Sequence, residues 1–253
     1  VRIARAAPVA IVITACALVA PFRDPDRLDP ALSFCAPSAA HPFGCGEAGV
    51  DLLALVAHAV LRGAILAIVV AMVGLAIGAP LGASAALVRG RFERATDRAC
   101  DLVQAFPSFL LALAVLSAVR APSRVHLAFV FALTAWAPFA RLALAQTRVL
   151  RSASFIEAAR ALGVRGAPLA FRHVLPNAMP VLAVQLGSTA GAIVVSEAAL
   201  SFVGLGPRGG VSLGSALEQG VSCMLFAPHV MATAALAIVA TSASVIAAGR
   251  AIE

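Results

Sequence analysis

The chain has 253 residues, a mean hydropathy of +0.97, 61% hydrophobic residues and only 12% charged ones, which excludes a soluble domain and points to membrane spans. Its net charge of +7 rests on 19 basic residues, all of them arginine, set in short segments between apolar runs. That distribution fits control of membrane topology better than nucleic-acid binding, for which an aromatic-interleaved basic patch is missing.

In chain order, Arg2 and Arg5 precede an apolar run at 6–22. A signal peptide shares this layout, but no polar mature domain follows, and the run approaches the ~20 residues of a span. It reads as a first transmembrane helix with its N-terminus inside. Residues 23–50 are rich in proline and aspartate, lack a helical period and read as an external loop. His41 within it has no partner at metal-ligand spacing and is assigned to turn stabilisation. The five cysteines form no CxxC pair, which speaks against a zinc or thioredoxin-type site. Cys35, Cys45 and Cys223 fall outside, where a disulfide is permitted. Nearness suggests a Cys35–Cys45 bridge as one state, and free thiols are the expected one.

Residues 52–61 are apolar but broken by His58 and followed by Arg62, the pattern of a helix lying at the interface. The second span covers 63–88, with Ala71, Gly74, Gly78 and Gly82 spaced to let a neighbouring backbone approach. The arginine-heavy stretch 89–98 is placed inside as a turn. The third span, 102–119, carries Gln104 and Pro107 near its inner end, the proline as a tolerated kink. An outer turn at 120–124 leads to a fourth span from 126 to about 145. The fifth span runs over 179–200, residues 207–226 form an external and partly re-entrant loop, and the sixth span, 227–248, ends inside. Thirteen of the arginines then lie inside and six outside, the bias expected with both termini inside. The expected architecture is therefore an all-α membrane protein of six transmembrane helices. It divides into an N-terminal helix (1–22), an external loop (23–50) and a core (51–253).

The longest polar interruption of the second half is 154–180, and it also carries the densest arginines. Ser154 followed by Glu157 has the spacing of a capping box. A short helix over 155–162 should end at Gly163, the residue best suited to a left-handed turn. Pro168 can open a second short helix, and Pro176 closes it or starts the next. Ala158, Ala159 and Ala161 keep the first helix slim enough to fit a groove. An ordinary loop between two spans is the plainer reading.

Glu157-Ala158-Ala159, Gly163 and His173-Val174-Leu175-Pro176 resemble the EAA loop of bacterial ABC importer permeases, and Arg172 to Asn177 resembles the form in the second permease subunit of the peptide and nickel subfamily. Glu197-Ala198-Ala199-Leu200-Ser201-Phe202-Val203-Gly204-Leu205-Gly206 is similar to the same subfamily, as are His41-Pro42-Phe43-Gly44, Gly49 to Leu53 and Ala105-Phe106-Pro107-Ser108. The chain departs from that pattern at Cys45-Gly46, at Val50, at Leu213 where relatives often carry tryptophan, and in its last span and tail. The resemblance implies the type I (MetI-like) permease fold, in the bacterial cytoplasmic (inner) membrane. It implies that 148–177 is a coupling loop docking on a cytoplasmic ATPase subunit through Glu157, Ala158, Ala159, Arg160, Leu162, Gly163, Val164, Arg165 and Pro168. The implied partners are a homologous second permease subunit, two ABC ATPase subunits that carry the ATP and magnesium, and an extracytoplasmic substrate-binding protein. Di- and oligopeptides are the expected cargo, with nickel chelates and haem-sized compounds as alternatives.

The chain itself shows no catalytic, metal or cofactor constellation. It has no lysine and so no G-x-x-x-x-G-K-[ST] loop, and no G-x-S-x-G elbow. An intramembrane hydrolase would need a second carboxylate at the depth of Glu197, and a stand-alone secondary carrier would be expected to show inverted repeats; neither is evident. Glu197 is either a group on the translocation path or, as favoured, an outer-end carboxylate paired with an arginine or a backbone amide. Gln185 and Ser188 on the same helix are candidates to line a polar passage.

Overall fold

The Asp51 carboxylate accepts a hydrogen bond from the Leu53 amide (3.1 Å) and caps helix α2, which then runs unbroken over Leu52–Val88. In the computed structural model, which describes residues 12–207 and 211–251, this helix is the post against which most other elements pack. The interfacial helix expected at 52–61 is thus the first part of α2. His58 does not interrupt it, because the His58 ring bonds back to the Ala54 carbonyl (3.0 Å) within the same helix. At 37 residues α2 is about 55 Å long, against a hydrocarbon core of about 30 Å, so it extends well beyond the apolar layer.

A tight reversal at Arg89 and Gly90, both at positive φ, leads into α3 (Gly90–Ala105). The turn expected over 89–98 is therefore helical beyond its first residue. Glu93, Asp97 and Asp101 recur every four residues and so share one face of α3. They meet α5 (Arg124–Leu150) through Arg148 to Glu93 (2.7 Å), Arg148 to Asp97 (3.0 Å), Arg151 to Glu93 (3.9 Å) and the Arg141–Asp101 pair.

The third span expected at 102–119 is not one straight helix. It breaks at Phe106-Pro107, and α3 meets α4 (Ser108–Ser117) at a bend of 66°. Phe106 is extended (φ −94, ψ 123) because the residue before a proline is pushed out of the helical region. Ser123 then caps α5, its hydroxyl accepting from the His126 amide.

The closest pairing is α2 with α5. A β-carbon at Gly74, Gly78 or Gly82 would overlap the carbonyl oxygens of Ala135, Trp136 and Ala140 respectively. Small residues bring the two backbones together where lipid offers no hydrophobic drive for association. Beyond α5 come α6 (Ser154–Ala161), the single turn α7 (Ala167–Leu169), a π-helical turn at Ala170–Val174 and α8 (Leu175–Phe202). Next are α9 (Leu213–Ser222) and α10 (Pro228–Ala251), which packs on α8 with Gly187 against Gly249. The apolar helix α1 (Val12–Phe22) sets Val12 and Cys16 against Val56, Val60 and Ala237.

Four helices among the described residues are long and apolar enough to span: α2, α5, Ala167–Phe202 and α10; the bent α3/α4 pair makes a fifth if counted as one. The first expected span, 6–22, begins outside the described residues, as do 208–210 of the external loop and 252–253 of the tail.

Residues 23–51 fold into a small cap over one end of the bundle. Cys35 and Cys45 are disulfide-bonded, with Cα atoms 4.8 Å apart, so the expectation of free thiols is corrected. Turns at Pro30–Leu32 and at His41, whose carbonyl accepts from the Ser38 and Gly44 amides, fold the loop back on itself. The cap is tied down by the Arg23–Asp51 ion pair, by Gln219 donating to Glu47 (3.2 Å) and by an edge-to-face contact of Phe34 on Phe226. Cys223 lies buried beneath it; burial pushes its thiol up and keeps it protonated.

Candidate functional site

Two regions carry the residues singled out in the sequence. The first is 154–176, against the α2 and α5 ends remote from the cap. Ile156, Ala159, Leu169 and Val174 are buried there with Ala79, Ala83, Phe139 and Ala143. The expected capping box is not formed: Ala153 is the N-cap residue, and Ser154 is already the first helical residue, with no side-chain cap. Burial of Ile156 and Ala159, three residues apart, sets the start of α6 instead.

The helix ends as expected at Gly163, φ +85. The Gly163 amide bonds the Arg160 carbonyl (2.9 Å) and the Val164 amide bonds the Ala159 carbonyl (3.0 Å), the paired bonds of a Schellman turn. Val164 packs inward beside Ala159, completing that turn's hydrophobic contact. Pro168 is the second residue of α7. Pro176 neither closes α7 nor breaks α8. It sits in the first turn of α8, where its missing N–H costs least. Its ring crowds the carbonyl four residues back, and the preceding turn widens to the π form, with the Leu175 amide reaching Ala170.

The docking candidates therefore divide by face. Ala159 and Val164 point into the bundle. Glu157, Ala158, Gly163, Arg165 and Pro168 are exposed, and Arg160 is half-buried. Leu162 is 85% exposed, and Phe155 and Phe171 of the same segment are also exposed. Arg160, Arg165 and Arg89 line a cleft of about 470 Å³ with Leu169 at its base. The exposed face thus pairs bare apolar side chains with a basic rim.

The second region is a groove of about 370 Å³ among α3, α4, α5 and α8. From α8 it takes Gln185, Ser188, Thr189 and Ser196, from the two sides of the helix break Gln104 and Ser108, and from α5 Thr134. Phe106, Phe131 and Ile193 give it apolar patches. Gln185 and Ser188 thus line the same groove.

Glu197 is not on that wall. One residue beyond Ser196, it is turned about 100° around α8 and is buried near Gly63 of α2, where it accepts from the Ser201 hydroxyl at 3.3 Å. Arg124 acts on it electrostatically, and Arg62 acts on Arg124 in turn. No ion pair to Glu197 within 4 Å is formed among the described residues. Its expected partner, an arginine or a backbone amide, is thus replaced at bonding distance by a serine hydroxyl.

Gln104, Thr134, Thr189 and Ser196 were missed as groove residues. The α8 set carried a signal, since 185, 188, 189 and 196 share one helical face. Gln104 and Thr134 carried none, because the fold alone brings the helix break beside α5.

Residues 78–252 match the family described as binding-protein-dependent transport system inner membrane component. The chain is 33% identical over 206 residues to the glutathione transport system permease protein GsiD of Pectobacterium atrosepticum, covering 81% of this chain and 68% of the relative. The same identity and coverage hold for the proteins of that name from Escherichia coli and Shigella sonnei.

Proposed function

Because this chain belongs to the family of binding-protein-dependent transport system inner membrane components, we propose that it forms half of a translocation path for peptide-like solutes and takes its motion from an ATPase through residues 154–176. As a member it is a multi-pass permease subunit of an ABC importer in the inner membrane, a class that works with ATPase and substrate-binding partners. The other half of the path comes from a homologous second permease subunit. Two ATPase subunits bind and hydrolyse ATP with magnesium, and an extracytoplasmic binding protein delivers the cargo.

One observation carries the reading: the 154–176 segment has two faces. Its inner face is packed into the ends of α2, α5 and α8, so a push on the segment is delivered to three spans at once. Its outer face leaves Leu162 almost fully exposed beside a basic cleft, the combination an interface core and rim would use. Docking then falls to Glu157, Ala158, Arg160, Leu162, Arg165 and Pro168, while Gly163 sets the angle and Ala159 and Val164 hold the segment to the bundle.

The disulfide at 35–45 belongs to an oxidising compartment, so the cap faces outward. The far end of α2, with the arginines of 89–98 and the coupling segment, then faces the cytoplasm, as the positive-inside rule requires. With that orientation, six spans and both termini inside are the reading in which the 6–22 run and the bent α3/α4 pair each cross once. A peptide-like cargo is favoured because relatives 33% identical are named for glutathione transport. A secondary carrier working alone would leave the two-faced segment without a purpose.

Glu157 is exposed and forms no ion pair among the described residues, so Glu157→Arg should leave insertion and thermal stability unchanged. Purification of the tagged chain should bring down an ATPase subunit, and Glu157→Arg or Leu162→Asp should lose it. A variant that retains the ATPase at unchanged yield, with normal uptake, overturns the docking role.

A further inference from the structure

We infer that the groove between α8 and the α3/α4 break is a substrate half-site that holds an amide-bearing solute through its N–H groups and exerts no selection by charge. The inference rests on the permease reading above. No charged side chain lines the groove among the described residues, although Arg124 lies on α5 and Glu197 on α8. The helices turn those charges away and present amides and hydroxyls instead.

Two of the groove's hydroxyls are biased toward accepting. Thr134 donates its hydrogen to the Phe131 carbonyl (3.1 Å), and Ser188 donates to the Val184 carbonyl (3.0 Å). Each is left with oxygen lone pairs to offer. Gln185 donates through Nε2 to the Thr189 hydroxyl (3.0 Å), which leaves its own carbonyl oxygen for a ligand. These neutral acceptors suit the N–H groups of a peptide bond, Gln104, Thr189 and Ser196 keep hydrogens for its carbonyl, and Phe106 and Phe131 give side chains an apolar surface. Apart from Phe131, Ala135 and Ile193 at its floor, the lining residues are half-buried or exposed, so the groove is open on one face, where a second subunit can complete it. Its volume falls within the ordinary range of small-molecule sites.

Neutral lining also suits passage. A fixed charge in a low-dielectric wall would hold an opposite charge far more tightly than a neutral partner does, and would repel a like one. A conducting site must release what it binds. Distinguishing cationic from anionic peptides is then left to the binding protein.

The test uses the assembled importer in proteoliposomes with saturating binding protein, and the uptake of Ala-Ala, Ala-Lys and Ala-Glu. Gln185→Glu should change the Ala-Lys to Ala-Glu uptake ratio on the order of tenfold from that of the unchanged protein, with ATP hydrolysis still stimulated by binding protein. Gln104→Glu, on an exposed position at a helix end and therefore tolerant of change, should move the ratio the same way. An unchanged ratio in both variants, with stimulated ATP hydrolysis intact, overturns the half-site. If the unchanged complex carries none of the three dipeptides, the amide reading falls. If it shows no stimulated ATP hydrolysis at all, the permease reading falls with it.

Discussion

Replacing Gly163 isolates the contribution of one backbone turn to coupling. Its φ of +85 lies where a β-carbon clashes with the residue's own backbone, at a cost of about 1–2 kcal/mol for an ordinary L-residue. A β-carbon built there meets nothing within 4 Å, so side-chain size adds no clash with neighbours. Gly163→Ala and Gly163→Leu should therefore weaken the turn by the same amount, and Gly163→Asn by less, because asparagine tolerates the left-handed region. The Gly163 and Val164 amides close the Schellman bonds to Arg160 and Ala159. Local opening should then speed their hydrogen exchange roughly 5- to 30-fold in the alanine and leucine variants, the factor that 1–2 kcal/mol represents. Ile156 and Leu169 keep both flanking elements anchored, so insertion and overall melting should hardly change. In the reconstituted complex more ATP should be hydrolysed per solute imported, because a looser elbow delivers less of each ATPase movement to the spans. Exchange at 163–164 unchanged in the alanine variant, or a leucine variant much worse than the alanine one, would refute the backbone argument. Loosened exchange with normal coupling would refute the transmission role.

Further expectations concern the scaffold. Gly82→Val should drive α2 away from the Ala140 carbonyl and cost about 1–3 kcal/mol or more, read as a lowered melting temperature of the detergent-solubilised protein, whereas Gly90→Ala, which meets no neighbour, should show only the backbone penalty. Cys35→Ser should remove a cross-link closing a loop of about ten residues, worth about 2–3 kcal/mol to the cap, and limited proteolysis should cut 23–51 faster while the core stays intact. Arg148→Ala removes two ion pairs between partly exposed groups; a loss of only about 0.5–1 kcal/mol is expected, seen as faster exchange in α3 and reduced by high salt.

Residues with a local cause were legible before the fold was known. The long apolar runs can only be spans, since every backbone polar group in lipid must be satisfied within the segment. Gly163 announces a left-handed turn, and the small residues of 71–82 mark a close helix contact. These are properties of a residue and its near neighbours. The capping box at Ser154, the turn at 89–98 and the free thiols at 35 and 45 were misjudged because each outcome is decided across the chain. Ile156 must reach Phe139, Glu93 must reach Arg148, and the cap must fold back on itself before its sulfurs can meet.

What the sequence determined alone is a membrane chain with a polar, glycine-jointed segment on its arginine-rich side, because hydropathy, charge bias and turn chemistry act within a few residues. The tertiary structure decided which face of that segment is anchored and which is bare, and it turned Glu197 away while gathering Gln104, Thr134, Gln185 and Ser188 around one groove. Those outcomes depend on the rotation of each helix about its axis and on the 66° bend at Phe106-Pro107. Both are set by packing between segments far apart in sequence, where a single residue of rotation, about 100°, carries a side chain from the groove to the core.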